Sequence, residues 1–446
     1  MKSFVVTPAS RLKGEITLPG DKSIAHRAIL VSAISQGKTT IRHFPANKDC
    51  LYTLGALQKL GVKISATSAD GQFLTVTVRG NGLRGLKKTR SNIFGGDSGT
   101  TFRLLLGILA GQDFKVRLIA GKSLSKRPML RVTQPLRMMG AKIDTRHKTQ
   151  DTRPEEYPPI TIRGGNLQPI TYKMPVASAQ VKSAILLAGL YAKGNTQVIE
   201  PVKTRDHTER MLELFKASIK LKRNAIVIKG NQPLVSPGRI TIPGDISSAS
   251  FFLVLAAILP NSRLIIRNVG LNPSRNGVMR VLKRMGAKIK VSSLKSQVLG
   301  VEPLGDIIIK SSLLKGTVVK KEEIPSLIDE LPILIVAACN ARGITVFEGV
   351  GELRVKETDR IRSMSENLRK MGADIVVSKT GSSEKIIIKG VKQLKGVRVR
   401  SFGDHRTAMS MVVAGLNAQG KTYIDDIICI NKSFPDFLNL LGVLIK

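Results

Sequence analysis

The chain has 446 residues, enough for two or more domains with ample core, and 42% hydrophobic content with mean hydropathy +0.04 reads as a soluble globular protein. A net charge of +39 points to an acidic ligand, a nucleic acid or a basic host composition, but Trp is absent, aromatics are 4% and the basic residues are scattered, so stacking platforms for nucleic acid are scarce. Cys50, Cys339 and Cys429 are isolated, which excludes a disulfide or zinc framework, and the lack of a signal-like start or an apolar run of spanning length leads us to expect a cytoplasmic protein.

In chain order, the first strong signal is Leu18-Pro19-Gly20-Asp21-Lys22-Ser23, opening an apolar helix expected over 23 to about 35 and closed by Gly37. A second helix over 50–60 runs into Leu60-Gly61-Val62-Lys63-Ile64, followed by a strand at 72–78. The pattern then returns. Apolar helices are expected over 100–110, 179–192, 247–259, 331–341 and 406–418, ending near Gly111, Gly194, Asn261, Gly343 and Gly420. Second helices are expected over 128–138, 206–215, 273–285, 356–370 and 435–441, with strands at 225–228, 307–309 and 385–388. A hydrophobic-Gly-small-x-Ile signature follows or ends each second helix, its second position at 61, 140, 216, 286, 372 and 442. Two interleaved series with one period indicate one supersecondary unit used six times, three per domain. Ile242-Pro243-Gly244-Asp245-Ile246-Ser247 matches the first motif, so the domain crossings are expected there. The boundaries are 21–242 for one domain and 1–20 plus 243–446 for the other.

Each apolar helix starts after a polar cluster: Asp21-Lys22-Ser23, Asp97-Ser98-Gly99, Ser178, Asp245-Ile246-Ser247, Asp329-Glu330 and Asp404-His405. Ser23 is expected to cap the first. Helix N-termini carry partial positive charge and free N–H groups, so six parallel buried helices would gather a polyanion site between the halves. Cations stand close by in sequence. Arg27 lies one turn after Ser23; Arg127 precedes Pro128; Arg205 precedes Asp206-His207; Lys432 precedes the last helix. Arg supplies a fork for phosphate or carboxylate. Gly95-Gly96-Asp97-Ser98-Gly99 suits close backbone approach to a phosphate. In Arg354-Val355-Lys356-Glu357-Thr358-Asp359-Arg360, Lys356 and Arg360 are expected on one helix face, and Asp404-His405-Arg406 sets an acid, an imidazole and a guanidinium at one helix start. Taken singly, each of these clusters also reads as a capped or salt-bridged surface helix.

Together they resemble the 5-enolpyruvylshikimate-3-phosphate synthase family, enolpyruvyl transferases also called 3-phosphoshikimate 1-carboxyvinyltransferases. The likeness runs from the first strand to Lys446 and rests on PGDKSIAHR at 19–27, SKRPM at 125–129, ASAQVKS at 177–183, RDHTERM at 205–211, RVKETDR at 354–360, GDHRTAM at 403–409 and KSFPDF at 432–437. The resemblance implies an α/β fold of two domains, each of three βαβαββ-type units. It implies transfer of the enolpyruvyl group of phosphoenolpyruvate to the 5-hydroxyl of shikimate 3-phosphate, on the route to chorismate and aromatic amino acids. No metal or organic cofactor is expected, nor a membrane or nucleic-acid partner, and a monomer is expected.

The roles implied are as follows. Lys22 contacts both substrates; Ser23 and Arg27 hold the shikimate carboxylate; Ser178, Ala179 and Arg205 bind its phosphate. Gly99, Arg127, Gln180 and Lys432 surround phosphoenolpyruvate, whose carboxylate Arg360 and Arg406 grip. Asp329 is the base for the attacking hydroxyl, with Lys356 nearby. Glu357 is the proton donor to C3, supported by His405. The C-terminal domain thus carries the acid/base groups and the N-terminal domain the shikimate 3-phosphate site.

Asp97 departs from the family's usual Asn and would need a partner, such as Arg127 or Lys432, beside a bound phosphate. Ala25 and Gly403 are milder departures. Gly99 keeps the family's small residue where a methyl would crowd glyphosate, so inhibition competitive with phosphoenolpyruvate is expected. The two domains should close on the substrates. The nearest rival is UDP-N-acetylglucosamine enolpyruvyltransferase, which usually carries a reactive Cys shortly before the Arg-Pro pair; here Lys122-Ser123-Leu124-Ser125-Lys126 holds none. The rival from another class is a non-catalytic polyanion or nucleic-acid binder, which the +39 charge motivates.

Overall fold

The computed structural model describes residues 3–68, 73–147, 155–295, 302–381 and 383–445. The chain divides into two compact units: Gly20–Ile242 with Gln297–Glu302, and Met1–Pro19 with Pro243–Ser296 and Pro303–Lys446. Inclusion of Glu302 in the first unit is a feature the PGD motifs do not foretell. Each unit has its own apolar core.

Among the described residues the helices number twelve and alternate in kind. The odd-numbered ones are buried: α1 Lys22–Ala33, α3 Gly99–Leu109, α5 Ala179–Gly189, α7 Ile246–Ile258, α9 Leu331–Cys339 and α11 His405–Leu416. The even-numbered ones are α2 Lys48–Lys59, α4 Leu130–Met138, α6 His207–Leu214, α8 Gly277–Arg284, α10 Arg360–Lys370 and α12 Phe437–Leu444. The two helical series expected from the sequence are present. Helix α9 is apolar on every side because every residue of Leu331–Cys339 is buried.

One repeat shows the common plan. Strand Ile93–Phe94, helix α3, strand Lys115–Ile119, helix α4 and the hairpin Lys142–His147/Glu156–Arg163 give βαβαββ. In its sheet the first two strands pair in parallel, and the rest follow antiparallel. The same order, one parallel pair and then an antiparallel hairpin, recurs in five four-stranded sheets of the described residues. Two first strands are exchanged. Lys13–Thr17 pairs with Arg263–Gly270, and Arg239–Thr241 pairs with Lys38–Phe44, so each PGD motif follows a strand that belongs to the other unit from its helix. The sixth sheet has three strands. Arg398–Val399 runs parallel to Thr422–Ile424, and Phe4–Val6 from the chain's start takes the antiparallel place.

The signature glycines have a backbone reason. Gly61, Gly140, Gly286 and Gly372 follow the second helices with φ of +82°, +107°, +93° and +88°, the left-handed turn that ends a helix without a Cβ clash. In the third repeat Lys216 takes that conformation at φ +65°. The sixth copy differs: Gly442 lies inside α12, which runs on to Leu444.

Three local expectations need correcting. Ser23 is not the cap of α1: Asp21 is, its Oδ1 accepting from the Ile24 N–H at 2.9 Å. Lys356 and Arg360 do not share a helix face. Asp359 caps α10 by accepting from the Arg362 N–H at 3.0 Å, so the helix starts at Arg360 and Lys356 is extended. Helix α8 likewise starts at Gly277 rather than near 273, after the Asn272 side chain turns the chain by accepting from the Ser274 N–H at 2.8 Å.

Candidate active site

In the Gly20–Ile242 unit, side chains from the N-terminal halves of α1, α3 and α5 meet. Arg27 is buried and held from three directions. It donates from Nε to Thr208 Oγ1 at 2.6 Å, from Nη1 to the Ser23 carbonyl at 2.9 Å and from Nη2 to Ser183 Oγ at 2.9 Å. These acceptors are neutral, and burial pulls the guanidinium down to about 10 against the opposing pull of Glu209. A buried cation fixed by neutral acceptors is prepared for an anionic ligand. Lys22 donates to Asp49 Oδ2 at 2.9 Å, both side chains partly exposed.

Gln180, at the start of α5, is oriented rather than loose. Its Oε1 accepts from Arg103 Nη1 at 2.5 Å and its Nε2 donates to Thr100 Oγ1 at 2.9 Å. Arg103 also donates to the Pro128 carbonyl at 3.2 Å, tying α3 to the segment that carries Arg127. Gly99 sits against both arginines: a Cβ there would lie 3.0 Å from Nη1 of Arg103 and 3.0 Å from Nη1 of Arg127. Ser178 caps α5 by accepting from the Val181 N–H, with Ala179 first in the helix.

Asp97 has main-chain partners. Its Oδ1 accepts from the N–H groups of Ser123 at 2.9 Å and Leu124 at 3.1 Å. The sequence suggested a cation as its partner; these two backbone amides hold one oxygen of the carboxylate just before Arg127. Arg205 follows Thr204, whose N–H donates to Glu200 Oε1 at 3.1 Å. Glu200 Oε2 accepts from the fully buried Lys182, which also binds Glu209 at 2.6 Å. Burial raises the Glu209 carboxyl even so. Two residues on, His207 Nδ1 lies 2.6 Å from Glu302 Oε1.

A chain of hydroxyls links the helices of this unit. His26 Nδ1 lies 2.7 Å from Thr53 Oγ1, which lies 2.6 Å from Thr101 Oγ1, which donates to Ser98 Oγ at 2.8 Å. Burial, with Lys22 and Arg27 close by, holds the His26 imidazole well below its ordinary range, so it is neutral.

In the other unit the first turns of α7, α9 and α11 also meet. Arg360 is almost fully buried. It donates from Nε to Asp404 Oδ2 at 2.8 Å and from Nη2 to Glu357 Oε2 at 2.5 Å, and its Nη1 lies 3.6 Å from Asp329 Oδ1. Burial alone would lower its pKa, but Asp404, Glu357 and Asp329 together outweigh burial and hold it above the ordinary guanidinium value. Asp404, fully buried, also caps α11 by accepting from the Arg406 N–H at 2.7 Å. Arg406 donates from Nη1 to the Asp329 carbonyl at 2.6 Å. His405, the first residue of α11, is buried beside it.

Lys356 is half-buried in the turn before α10. Arg354 anchors that turn, donating to Asp359 Oδ2 at 2.5 Å and to both oxygens of Glu384. Lys432 ends a short 3₁₀ turn, Ile428–Lys432. It acts on the same thiol as Asp404: Cys429 is pushed up to about 12 by burial, Asp426 and Asp404, with Lys432 opposing. The three cysteines are buried and free.

The structure therefore gathers Arg27, Gly99, Arg127 and Gln180 in one unit and Asp329, Glu357, Arg360, His405 and Arg406 in the other. Sequence reading gave no role to Asp49, Arg103, Thr208, Arg275 and Glu330. Glu330 lies in the Asp329-Glu330 cluster, Thr208 in the RDHTERM motif and Arg103 four residues after Gly99, but nothing in their spacing marks them.

The model of the EPSP synthase (3-phosphoshikimate 1-carboxyvinyltransferase) family matches residues 6–441. The chain belongs to this family. The chain is 47% identical over 438 residues to a 3-phosphoshikimate 1-carboxyvinyltransferase of Desulforamulus reducens, covering 98% of both chains. It is 46% identical over 437 residues to another of Petrotoga mobilis, again covering 98% of both. Among solved structures it is similar to the EPSP synthase of Acinetobacter baumannii, with a TM-score of 0.85, 42% identity and coverage of 100% and 98%. The enolpyruvyl transferase NikO of Streptomyces tendae matches with a TM-score of 0.73 over 100% and 98% at 17% identity, which speaks to the fold alone. For the family, α/β units in six copies are the architecture described above. Among the described residues no helix is long and apolar enough to cross a membrane, and no cluster of His, Cys, Asp and Glu could hold a metal ion.

Proposed function

We propose that this enolpyruvyl transferase converts phosphoenolpyruvate and shikimate 3-phosphate to the 5-enolpyruvyl ether and phosphate, acting as a cytoplasmic monomer, with the residue roles that follow. The observation that carries the reading is Arg360, a buried guanidinium contacted by Glu357 and Asp404 and approached by Asp329. It sets two partly exposed carboxylates, Asp329 and Glu357, beside a fork suited to the donor's own carboxylate.

In the Gly20–Ile242 unit, Arg27 and Ser23 take the carboxylate of shikimate 3-phosphate, and Ser178, the Ala179 N–H and Arg205 take its phosphate. Lys22, Gly99, Arg127, Gln180 and Lys432 take up the phosphate of phosphoenolpyruvate. Arg360 and Arg406 hold the donor carboxylate, with Lys356 near the acceptor hydroxyl.

Asp329 removes the proton of the 5-hydroxyl as that oxygen attacks C2 of phosphoenolpyruvate. Glu357, in its acid form, gives a proton to C3, which becomes a methyl group. The tetrahedral adduct then loses phosphate from C2 while a methyl proton returns to Glu357, leaving the enol ether. Two carboxylates can divide the work because their settings differ. In the free enzyme Glu357 is ion-paired to Arg360. When the donor's carboxylate takes up Arg360, Glu357 faces added negative charge, its pKa rises and it gains the proton that it later gives. His405, next in sequence to the Asp404 that Arg360 binds, supports Glu357. Lys22 and Arg127 neutralise charge arriving on the departing phosphate.

The test is phosphate release with both substrates. Asp329→Ala and Glu357→Gln should each lower kcat by about 10²–10⁴-fold, the range for a lost acid or base. Release at the parent rate in both variants would remove these two roles. Activity with UDP-N-acetylglucosamine and none with shikimate 3-phosphate would overturn the acceptor.

A further inference from the structure

One buried cluster has no part in the scheme above and yet touches it. Glu330, the residue after the proposed base, is fully buried. Arg275, also buried, donates from Nη1 to both of its oxygens, at 3.0 and 2.9 Å. Ser247, in the first turn of α7, donates from Oγ to Glu330 Oε1 and accepts from Arg275 Nη2. The same hydroxyl accepts from Arg406 Nη2 at 3.3 Å, and Arg406 Nη1 stands 3.6 Å from Glu330 Oε1. Glu330 therefore faces two guanidiniums, one in two-point contact and one at the edge of ion-pair distance.

We propose that Arg275 is a positioning residue for the enolpyruvyl donor: by neutralising Glu330 it leaves Arg406 free to hold the donor's carboxylate. The proposal rests on the reading of Arg406 given above. A buried carboxylate does not remain without a partner, since the cost of leaving it so exceeds the cost of moving a side chain. With Arg275 gone, the nearest cation is Arg406. Closing from 3.6 Å to contact would turn its fork toward Glu330 and away from an incoming carboxylate. Ser247 limits that movement while Arg275 is present, because its hydroxyl is engaged by both arginines.

The experiment is steady-state kinetics on four variants with thermal unfolding as a folding control. Arg275→Met should raise the KM for phosphoenolpyruvate about tenfold or more and leave the KM for shikimate 3-phosphate within about twofold. Removing the carboxylate as well, in Arg275→Met/Glu330→Gln, should return the donor KM to near the parent value. A merely structural role would lower the unfolding midpoint and kcat without this split and without rescue. If Arg275→Met does not fold, the double variant is compared with Glu330→Gln, where Arg275 has no charge to answer and its loss should leave the donor KM unchanged. An unchanged donor KM in folded Arg275→Met, or a tenfold rise on losing Arg275 in the Glu330→Gln background, would overturn the proposal. Arg406→Lys separates the two readings. An unchanged donor KM there would overturn the role of Arg406 itself, whereas a raised one alongside an unaffected Arg275→Met sinks only the inference.

Discussion

At Gly99 the space for a side chain is decided by two guanidiniums. A methyl there would sit 3.0 Å from Nη1 of Arg103 and of Arg127, so both forks must yield by a few tenths of an ångström. Both are far ends of flexible side chains, so folding should survive. The cost should fall on the donor's phosphate, which Arg127 is proposed to meet. Gly99→Ala is expected to raise the KM for phosphoenolpyruvate about tenfold, a fraction of what a full ångström of misplacement costs. The KM for shikimate 3-phosphate should hardly change, and initial rates at varied concentrations of each substrate would show the split. At this scale the sequence was legible where a residue type is demanding. The motifs placed Arg27, Arg360 and Arg406 near helix starts, and the structure has them there. The partners of Arg27, Arg406 and Gln180 were not legible. Thr208, Glu330 and Arg103 bind groups up to 181 positions away in the chain, and such pairings exist only after folding. Asp97 shows the converse: a carboxylate that looked hostile to phosphate has its Oδ1 on the Ser123 and Leu124 amides.

At the scale of elements, the repeat was legible because five of the six units end their second helix in the same left-handed turn. The exception is instructive. Lys216 adopts φ +65° where four of the other copies use glycine. That conformation costs a residue with a Cβ roughly 1–2 kcal/mol, part of which glycine returns through its freer unfolded chain. Lys216→Gly should therefore stabilise the protein by about 0.5–1 kcal/mol, read as a higher unfolding midpoint in denaturant. Gly372→Ala should do the opposite by about 1 kcal/mol; nothing lies within 4 Å of a Cβ there, so the loss is one of backbone conformation alone. The start of α10 was misread for a related reason. The run from Lys356 to Lys370 has helical spacing throughout, but the Asp359 side chain competes for the first free N–H group and wins three residues before the Arg362 amide it binds. Spacing reports which face could pack; only the cap decides where the helix begins.

At the scale of the whole molecule, residues 20–242 contain three complete sheets and a separate core. This segment made alone should fold and give one cooperative transition in calorimetry, at a lower temperature than in the full chain because His207 loses Glu302. The complementary segment 243–446 should fail to do so. It lacks Lys13–Thr17 beside Arg263–Gly270 and Phe4–Val6 beside Thr422–Ile424, so two of its sheets end one strand short. A cooperative transition in the second segment, or none in the first, would contradict this division of the chain.

The exchange of end strands also dictates an order of events during translation. Residues 4–6 leave the ribosome long before their partner, Thr422–Ile424. The nascent chain can complete its 20–242 portion while residues 4–6 and 13–17 stay unpaired, awaiting partners that do not yet exist. A bulky group joined just ahead of Phe4 would therefore burden the pairing of Phe4–Val6 with Thr422–Ile424, a late step in building that sheet.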